Sequence, residues 1–395
     1  MKSSEQHRKQ LLMLVSRFPY PLDKGDKLRA FHQLKELQKH YDVTLFSLSD
    51  HPVGQKDQKI IEQYCTKLVI HQQSGIQKGW NAFRSFFNKL PFQVGYFYSP
   101  KAAKKIKLLL KEGSFNHIYC QLIRMSEYVK DEHSISKTLD YMDTLSAGIQ
   151  RRIDQQPFYK KWLFRSEAKR LRSYESRMFD FFEHKTIISE QDRQLIMHPE
   201  SSKIKCVPNG IDSTFFDELN VDKTHDFVFV GNMSYPPNID AVQYIAKYLL
   251  PEFPESTLLV SGSSPHAKIK KLAEGSTQIM ITGWVDDIRF SYLRGNIFVA
   301  PMMIGTGMQN KLLEAMALGI PCITTPLANS PIRTTHEKEI LVASDPVEFV
   351  AAIKRLKADQ ELYSTIQAGA RKFVQNNYSW EHTTKELRSL IEEIP

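Results

Sequence analysis

Residues 297–325 read IFVAPMMIGTGMQNKLLEAMALGIPCITT. Ile297 to Met302 is an apolar run of strand length, Gly305-Thr306-Gly307 is a turn with little side-chain bulk, and Gln309 to Leu318 has helix-forming composition. The helical pattern stops at Gly319, before a second apolar run. The stretch therefore predicts strand, glycine turn, helix, strand. Glycines at a strand-to-helix turn let a ligand approach the backbone, and the free N–H groups and positive dipole of a helix start attract an anion such as phosphate. Lys311 falls in the first helical turn and Glu314 three residues on, so a cation and a hydrogen-bond acceptor share one helix face. On this stretch alone, a solvated Lys–Glu pair beside an ordinary tight turn is an equal alternative. The remaining sequence has to separate the two.

At 395 residues the chain is long enough for two domains, and 42% hydrophobic with 25% charged residues is the balance of a globular protein. The polar opening MKSSEQHRKQ and the short apolar run Leu11 to Val15 match neither a secretory signal nor a membrane span, so a cytoplasmic location is expected. Cys65, Cys120, Cys206 and Cys322 are scattered without C-x-x-C spacing and read as buried thiols. The 13 histidines form no H-E-x-x-H pair, and no D-x-D triplet occurs, so a tightly held catalytic metal has no support. The net charge of +9 asks for an anionic partner. Nucleic acid is disfavoured because no RNP, zinc-finger or basic-helix pattern occurs. Five lysines lie within Lys101 to Lys111, and 158–177, FYKKWLFRSEAKRLRSYESR, interleaves aromatics with bases. These suit an anionic membrane surface or a phosphorylated substrate, with a solvated charged face as the alternative.

Along the chain, strands at Leu11 to Ser16, Val43 to Leu48, Lys67 to His71, His117 to Leu122 and Thr138 to Met142 alternate with helical segments, the first being Asp26 to His40. The loop Arg17 to Gly25, RFPYPLDKG, follows the first strand, where ligands bind in open α/β sheets. A long basic helical stretch, Leu145 to Glu183, is broken only by Pro157. Strands at Thr186 to Ser189 and Lys203 to Val207 end the first half, and Pro208-Asn209-Gly210-Ile211-Asp212 marks a boundary. The alternation then restarts with strands at Asp226 to Val230, Thr257 to Val260, Ile279 to Ile281 and Ile297 to Met302, and glycines recur just after strands at 231, 262, 283, 305 and 307. The expected fold class is α/β, two Rossmann-like domains with parallel sheets facing across a cleft.

With these residues in hand, the chain resembles the family-4 retaining glycosyltransferases of GT-B fold over nearly its whole length. The resemblance is carried by the glycine loop after the first strand, V-P-N-G-I-D at Val207 to Asp212, G-W-V at Gly283 to Val285, and N-K-L-L-E-A-M-A-L-G-I-P-C-I-T-T at Asn310 to Thr325. RFPYPLDKGDKLRAFHQLKEL and F-V-G-N-M-x-Y-x-P-N at Phe229 to Asn238 look closest to the bacterial branch that builds exopolysaccharides and surface glycans. The resemblance implies an acceptor-binding domain at 1–207, a donor-binding domain at 208–376, and a C-terminal helix, 377–395, packing back on the first domain. It also implies transfer of a sugar from a UDP- or GDP-linked donor to a glycan or lipid-linked acceptor. Anomeric configuration would be retained, no metal or other cofactor would be needed, and the protein would sit peripherally on the inner face of the plasma membrane. Glu314 would bind the ribose hydroxyls and Lys311 would neutralise the diphosphate. The backbone around Val285 would read the base, and Gly231 and Asn232 would border the phosphates. Thr306, Gly307, Met308, Gln309 and Asn310 would complete the donor loop, and Gly25 and Asp26 would approach the donor from the first domain.

Three departures bear on the sugar end. The family often has a second glutamate eight residues before the first, where this chain has Thr306. Asn232 to Asn238 lacks the basic residues of the family pattern, which leaves Lys311, Arg289, Lys24 or Lys27 to replace them. A first-domain histidine is replaced by Gln121-Leu122-Ile123-Arg124 or Asp140-Tyr141-Met142-Asp143, where Asp143 is either a group orienting a sugar or acceptor hydroxyl, and so a candidate catalytic residue, or a helix cap. A dinucleotide-dependent oxidoreductase fits less well, since Gly305-x-Gly307-x-x-Asn310 lacks the third glycine and no acid follows at the ribose position. A UDP-sugar epimerase of the same fold and a non-catalytic subunit of a glycan assembly complex are the remaining alternatives.

Overall fold

The computed structural model describes residues 8–87, 90–153, 156–304 and 308–393. The chain divides into two compact units, Met1–Asn209 with Thr383–Pro395, and Gly210–His382.

The first unit holds strands β1 (Gln10–Val15), β2 (Asp42–Ser49), β3 (Lys67–Gln72), β4 (His117–Gln121), β5 (Ser136–Asp140), β6 (His184–Ile187) and β7 (Lys205–Cys206). They form one sheet in the order β3-β2-β1-β4-β5-β6-β7, every pair parallel. Side chains alternate between two apolar cores. Leu12, Leu14, Phe46, Leu48 and Ile118 enter one, and Leu11, Met13, Val15, Val43, Leu45 and Tyr119 enter the other. A sheet buried on both faces explains why these strands read as unbroken apolar runs. Leu387 and Ile391, from the final helix Trp380–Glu392, join the second of these cores, so that helix returns to the first unit. Pro157 does break the long basic stretch, into helices Leu145–Arg151 and Phe158–Met178.

A charged pair is buried inside this unit. Arg29 Nε donates to Asp140 Oδ2 at 2.6 Å and Nη1 to Asn209 Oδ1 at 3.0 Å, and neither Arg29 nor Asp140 is exposed to solvent. Asp140 also accepts from Tyr119 Oη at 2.7 Å, Thr186 Oγ1 at 3.0 Å and the Met142 amide at 3.2 Å. Such saturation is what a carboxylate needs to stay charged out of water. Asn209 thus serves the first unit's interior. Its neighbour Gly210 has a packing reason to be glycine, since a Cβ there would lie 2.5 Å from the Trp380 backbone nitrogen.

The second unit holds β8 (His225–Val230), β9 (Leu258–Ser261), β10 (Ile279–Gly283), β11 (Gly295–Ala300), β12 (Cys322–Thr324) and β13 (Leu341–Val342), again all parallel, in the order β10-β9-β8-β11-β12-β13. The strand expected over 297–302 is shifted two residues earlier. Pro301 has no N–H to extend the ladder. At the other end Gly295 lies against β8 so closely that a Cβ would sit 2.4 Å from the Val228 side chain. In each sheet the order reverses beside the first strand, between β1 and β4 and between β8 and β11. Ligands of open α/β sheets bind beyond the carboxyl ends of strands at such a point.

Candidate functional site

At the second unit's reversal, β8 ends at Val230 and β9 at Ser261, and each is followed by a glycine. Gly231 N–H donates to Ser261 O at 3.0 Å, and Gly262 N–H to Gly283 O at 2.9 Å. A Cβ on Gly262 would lie 1.8 Å from Gly231 O, and its φ of +137° is one that L side chains rarely adopt. A Cβ on Gly231 would meet Asn238 Nδ2 at 2.7 Å and Lys311 Nζ at 3.4 Å. The loop after β8 is braced by its own side chains. Asn232 Oδ1 accepts from Ser234 N at 2.9 Å, and Asn238 Nδ2 donates to Asn232 O at 2.8 Å.

Lys311 comes from the helix Asn310–Ala317 that follows β11. Its Nζ donates to Asn238 Oδ1 and stands 4.9 Å from the Phe229 ring centroid. Burial pushes the ammonium down to about 8, with the Glu314 charge opposing. Glu314 Oε2 accepts from Tyr292 Oη at 2.7 Å. Burial raises its pKa, while Tyr292 and Lys311 act to lower it. Glu314 is therefore oriented by a fully buried tyrosine, and Lys311 is held above the Gly231 backbone by Asn238. The arrangement presents a desolvated cation and a hydrogen-bond acceptor beside backbone that carries no Cβ.

Of the other residues expected here, Asn310 is exposed, Met308 and Gln309 are half-buried, and Val285 is half-buried in the loop after β10 beside Trp284, which is 70% exposed. Thr306 and Gly307 lie outside the described residues. Arg289 does not replace the missing bases. Its guanidinium binds Asp287 at 2.7 Å and Thr214 O at 2.7 Å, with Asp217 at 3.5 Å. Lys27 pairs with Asp23 at 2.8 Å. Tyr292 and the bracing role of Asn238 were not anticipated. Asn238 stood inside the quoted F-V-G-N-M-x-Y-x-P-N stretch, but nothing local to Tyr292 points to Glu314.

In the first unit, Gly25 opens the helix Gly25–Leu37, and a Cβ there would meet nothing within 4 Å. Asp26 is buried, with its carboxylate 2.5 Å from Arg17 Nη1 and its carbonyl accepting from Gln121 Nε2 at 3.1 Å. Asp143 is an exposed residue, yet enough protein surrounds its carboxyl that burial pushes it up to about 6, Asp192 adding to the effect and Arg124 opposing it. Its side chain makes no cap on the helix Leu145–Arg151, whose N-cap is Thr144. Among the described residues no helix is long and apolar enough to cross a membrane.

Residues 224–359 match the family model described as glycosyl transferases group 1. A Klebsiella pneumoniae protein named "Uncharacterized 44.6 kDa protein in cps region" is 24% identical over 93% of this chain and 96% of its own length. The Escherichia coli UDP-Gal:alpha-D-GlcNAc-diphosphoundecaprenol alpha-1,3-galactosyltransferase is 22% identical over 49% of this chain and 55% of its own. Among solved structures, Anabaena Alr3699/HepE in complex with UDP superposes with a TM-score of 0.65 over 98% of this chain and 100% of its own, at 11% identity, a likeness of fold alone.

Proposed function

We propose, from a chain of GT-B architecture whose second unit carries a glycosyltransferase group 1 domain, that it transfers a sugar from a UDP- or GDP-linked donor to a glycan or lipid-linked acceptor with retention of configuration. One observation carries the reading. Lys311 is held by Asn238 over the Gly231 backbone, on the same helix as a Glu314 oriented by Tyr292. In this reaction the bond from the anomeric carbon to the diphosphate breaks, its electron pair leaving with the phosphate oxygen. The acceptor hydroxyl oxygen bonds the anomeric carbon and its proton passes to the departing diphosphate. A fixed cation beside the leaving oxygen stabilises that developing charge. Lys311 takes this role, Glu314 accepts from the ribose hydroxyls, and the backbone around Val285 meets the base. Gly231, Asn232 and the loop through Thr306, Gly307, Met308, Gln309 and Asn310 border the phosphates and sugar. The resemblance assigns Gly25 and Asp26 to the donor and Asp143 to a sugar or acceptor hydroxyl.

The relatives' names support the setting: one lies in a cps region and one acts on a diphosphoundecaprenol-linked sugar. A peripheral position on an anionic membrane is supported by exposed aromatics in the first unit. These are Trp80, with Phe158, Tyr159 and Trp162 at the start of a helix that also carries Lys160 and Arg165. Flotation with anionic vesicles should carry the protein up, and equal absence from anionic and neutral vesicles refutes the docking. For the enzyme reading, a panel of nucleotide sugars is screened for thermal stabilisation, followed by nucleotide release with and without acceptor. One nucleotide sugar should raise Tm, and release should depend on acceptor. Conversion of donor without acceptor would instead indicate an epimerase, and absence of any nucleotide binding a non-catalytic subunit.

A further inference from the structure

At the first unit's own reversal point, a cluster of cations stands that the donor reading does not use. Arg17 follows β1, Arg124 follows β4, and Lys78 comes from the helix Gly75–Phe87. They surround one buried ring: the Arg17 and Arg124 guanidinium carbons lie 5.5 and 5.0 Å from the Phe97 centroid, and Lys78 Nζ lies 4.9 Å from it. Two carboxylates lie within ion-pair distance of these three cations, and a third, Asp143, acts on Arg124 through its charge. Asp26 is 2.5 Å from Arg17 and 4.0 Å from Arg124, and Asp50 pairs with Lys78. Arg124 Nη2 donates a hydrogen bond to the neutral Gln93 Oε1 at 2.7 Å, while its contact with Asp26 is a long ion pair. The Nε–H groups of both arginines are buried without a partner among the described residues. Burial, and then the charge of Arg17, push Lys78 down to about 8 and Arg124 down to about 10. The backbone that delivers Arg124 is itself strained, since Leu122 between β4 and Arg124 has a φ of +66°. Arg17 and Asp50 line a cavity of about 290 Å³ between the loops after β1 and β2, with Lys24 and Lys27 on its wall.

Like charges crowded in low dielectric repel unless a counter-charge is supplied, and here Arg17 and Arg124 share Asp26 while the Nε–H of each stays without a partner among the described residues. Two guanidinium forks and an ammonium match a tetrahedral oxyanion better than a single carboxylate. We infer that Arg17, Lys78 and Arg124 form a second anion subsite, which holds a phosphate group of the acceptor. This inference rests on the glycosyltransferase reading, in which Lys311 already serves the donor's diphosphate.

The test uses the full chain saturated with UDP, into which inorganic pyrophosphate is titrated by calorimetry. Pyrophosphate should bind the UDP-loaded protein. Arg124→Gln and Lys78→Met should each weaken that binding at least tenfold while leaving UDP affinity unchanged, and Lys78→Arg should restore most of it. Unchanged UDP affinity also shows that the variants fold. In turnover, pyrophosphate should compete with acceptor and not with the nucleotide sugar. Absence of pyrophosphate binding in a protein that binds UDP overturns this inference and leaves the donor reading standing. Variants that weaken UDP itself assign the cluster to the donor and overturn it too. Failure of the wild type to bind UDP or any other nucleotide sinks the enzyme reading, whatever pyrophosphate does.

Discussion

Replacing Lys311 by Met separates what the ammonium does for the ligand from what it does to the fold. Its pKa of about 8, against an ordinary 10.5, means that holding it charged in place costs roughly 3 kcal/mol at 1.36 kcal/mol per decade. The unfolded chain binds the proton more tightly between those two values. Wild-type stability therefore carries the full cost below pH 8 and regains it as pH rises from 8 toward 10.5. Met removes that cost but takes a charge-assisted hydrogen bond from Asn238, worth about 1.5 to 3 kcal/mol. At pH 7 the two nearly cancel, and Lys311→Met should lie within about 1 kcal/mol of wild type, where a buried truncation ordinarily loses about 2 to 5 kcal/mol. Relative to the variant, the wild type should gain stability between pH 8 and 10.5. Donor binding should behave oppositely. Losing one charge-assisted contact to a diphosphate should weaken UDP roughly 10- to 100-fold. In the wild type, UDP affinity should fall as pH rises past 8, because the free lysine loses the proton that the anion requires. Urea titrations from pH 7 to 10 and UDP calorimetry at the same pH values measure both. Unchanged UDP affinity in Lys311→Met, with a stability loss above about 2 kcal/mol, would show that Lys311 is a structural partner of Asn238 and not a ligand group.

Glu314→Ala should also weaken UDP binding severely while the fold survives, read by calorimetry beside circular dichroism, and normal affinity refutes its role. Gly262→Ala places a Cβ 1.8 Å from Gly231 O at a φ of +137°, and should cost roughly 2 to 5 kcal/mol by denaturant unfolding. A change under 1 kcal/mol would mean that the two strand ends move apart freely. Asp140→Ala leaves Arg29 buried and uncompensated, and should lose about 3 to 5 kcal/mol, whereas Arg29→Met with Asp140→Leu should regain much of it. Equal losses in the single and double variants would refute the pairing. Glu175 is pushed up to about 7 by burial, against hydrogen bonds from the Ser146 amide and hydroxyl. Its folded pKa lies above the ordinary 4.5, so stability should fall as pH rises from 4.5 to 7, by up to roughly 3 kcal/mol. Glu175→Gln should flatten that slope, and an unchanged slope places the titrating group elsewhere.

The amino-acid sequence by itself determined the alternation of apolar strands with helices, the restart of that alternation after Val207, and a helix with Lys311 and Glu314 on one face. These are local properties. Period, turn chemistry and helix ends are written in neighbouring residues, and a sheet buried on both faces leaves apolar runs that are hard to misread. Local pattern says nothing about which strands become neighbours, because parallel pairing is chosen by packing between distant segments. The strand orders alone bring Gly231 under Lys311, through the pairing of β8 with β11. Tertiary packing likewise turned Asn238 and Tyr292 toward Lys311 and Glu314, and set the Arg289 guanidinium against Thr214 and Asp217. The gathering of Arg17, Lys78 and Arg124 around Phe97 was decided entirely by structure. β1 and β4 are adjacent only in the folded sheet, and a helix between β3 and β4 must bring its lysine back to them. Each of these cations looks in the sequence like any solvated base, and only burial beside its fellows makes it costly enough to call for an anion.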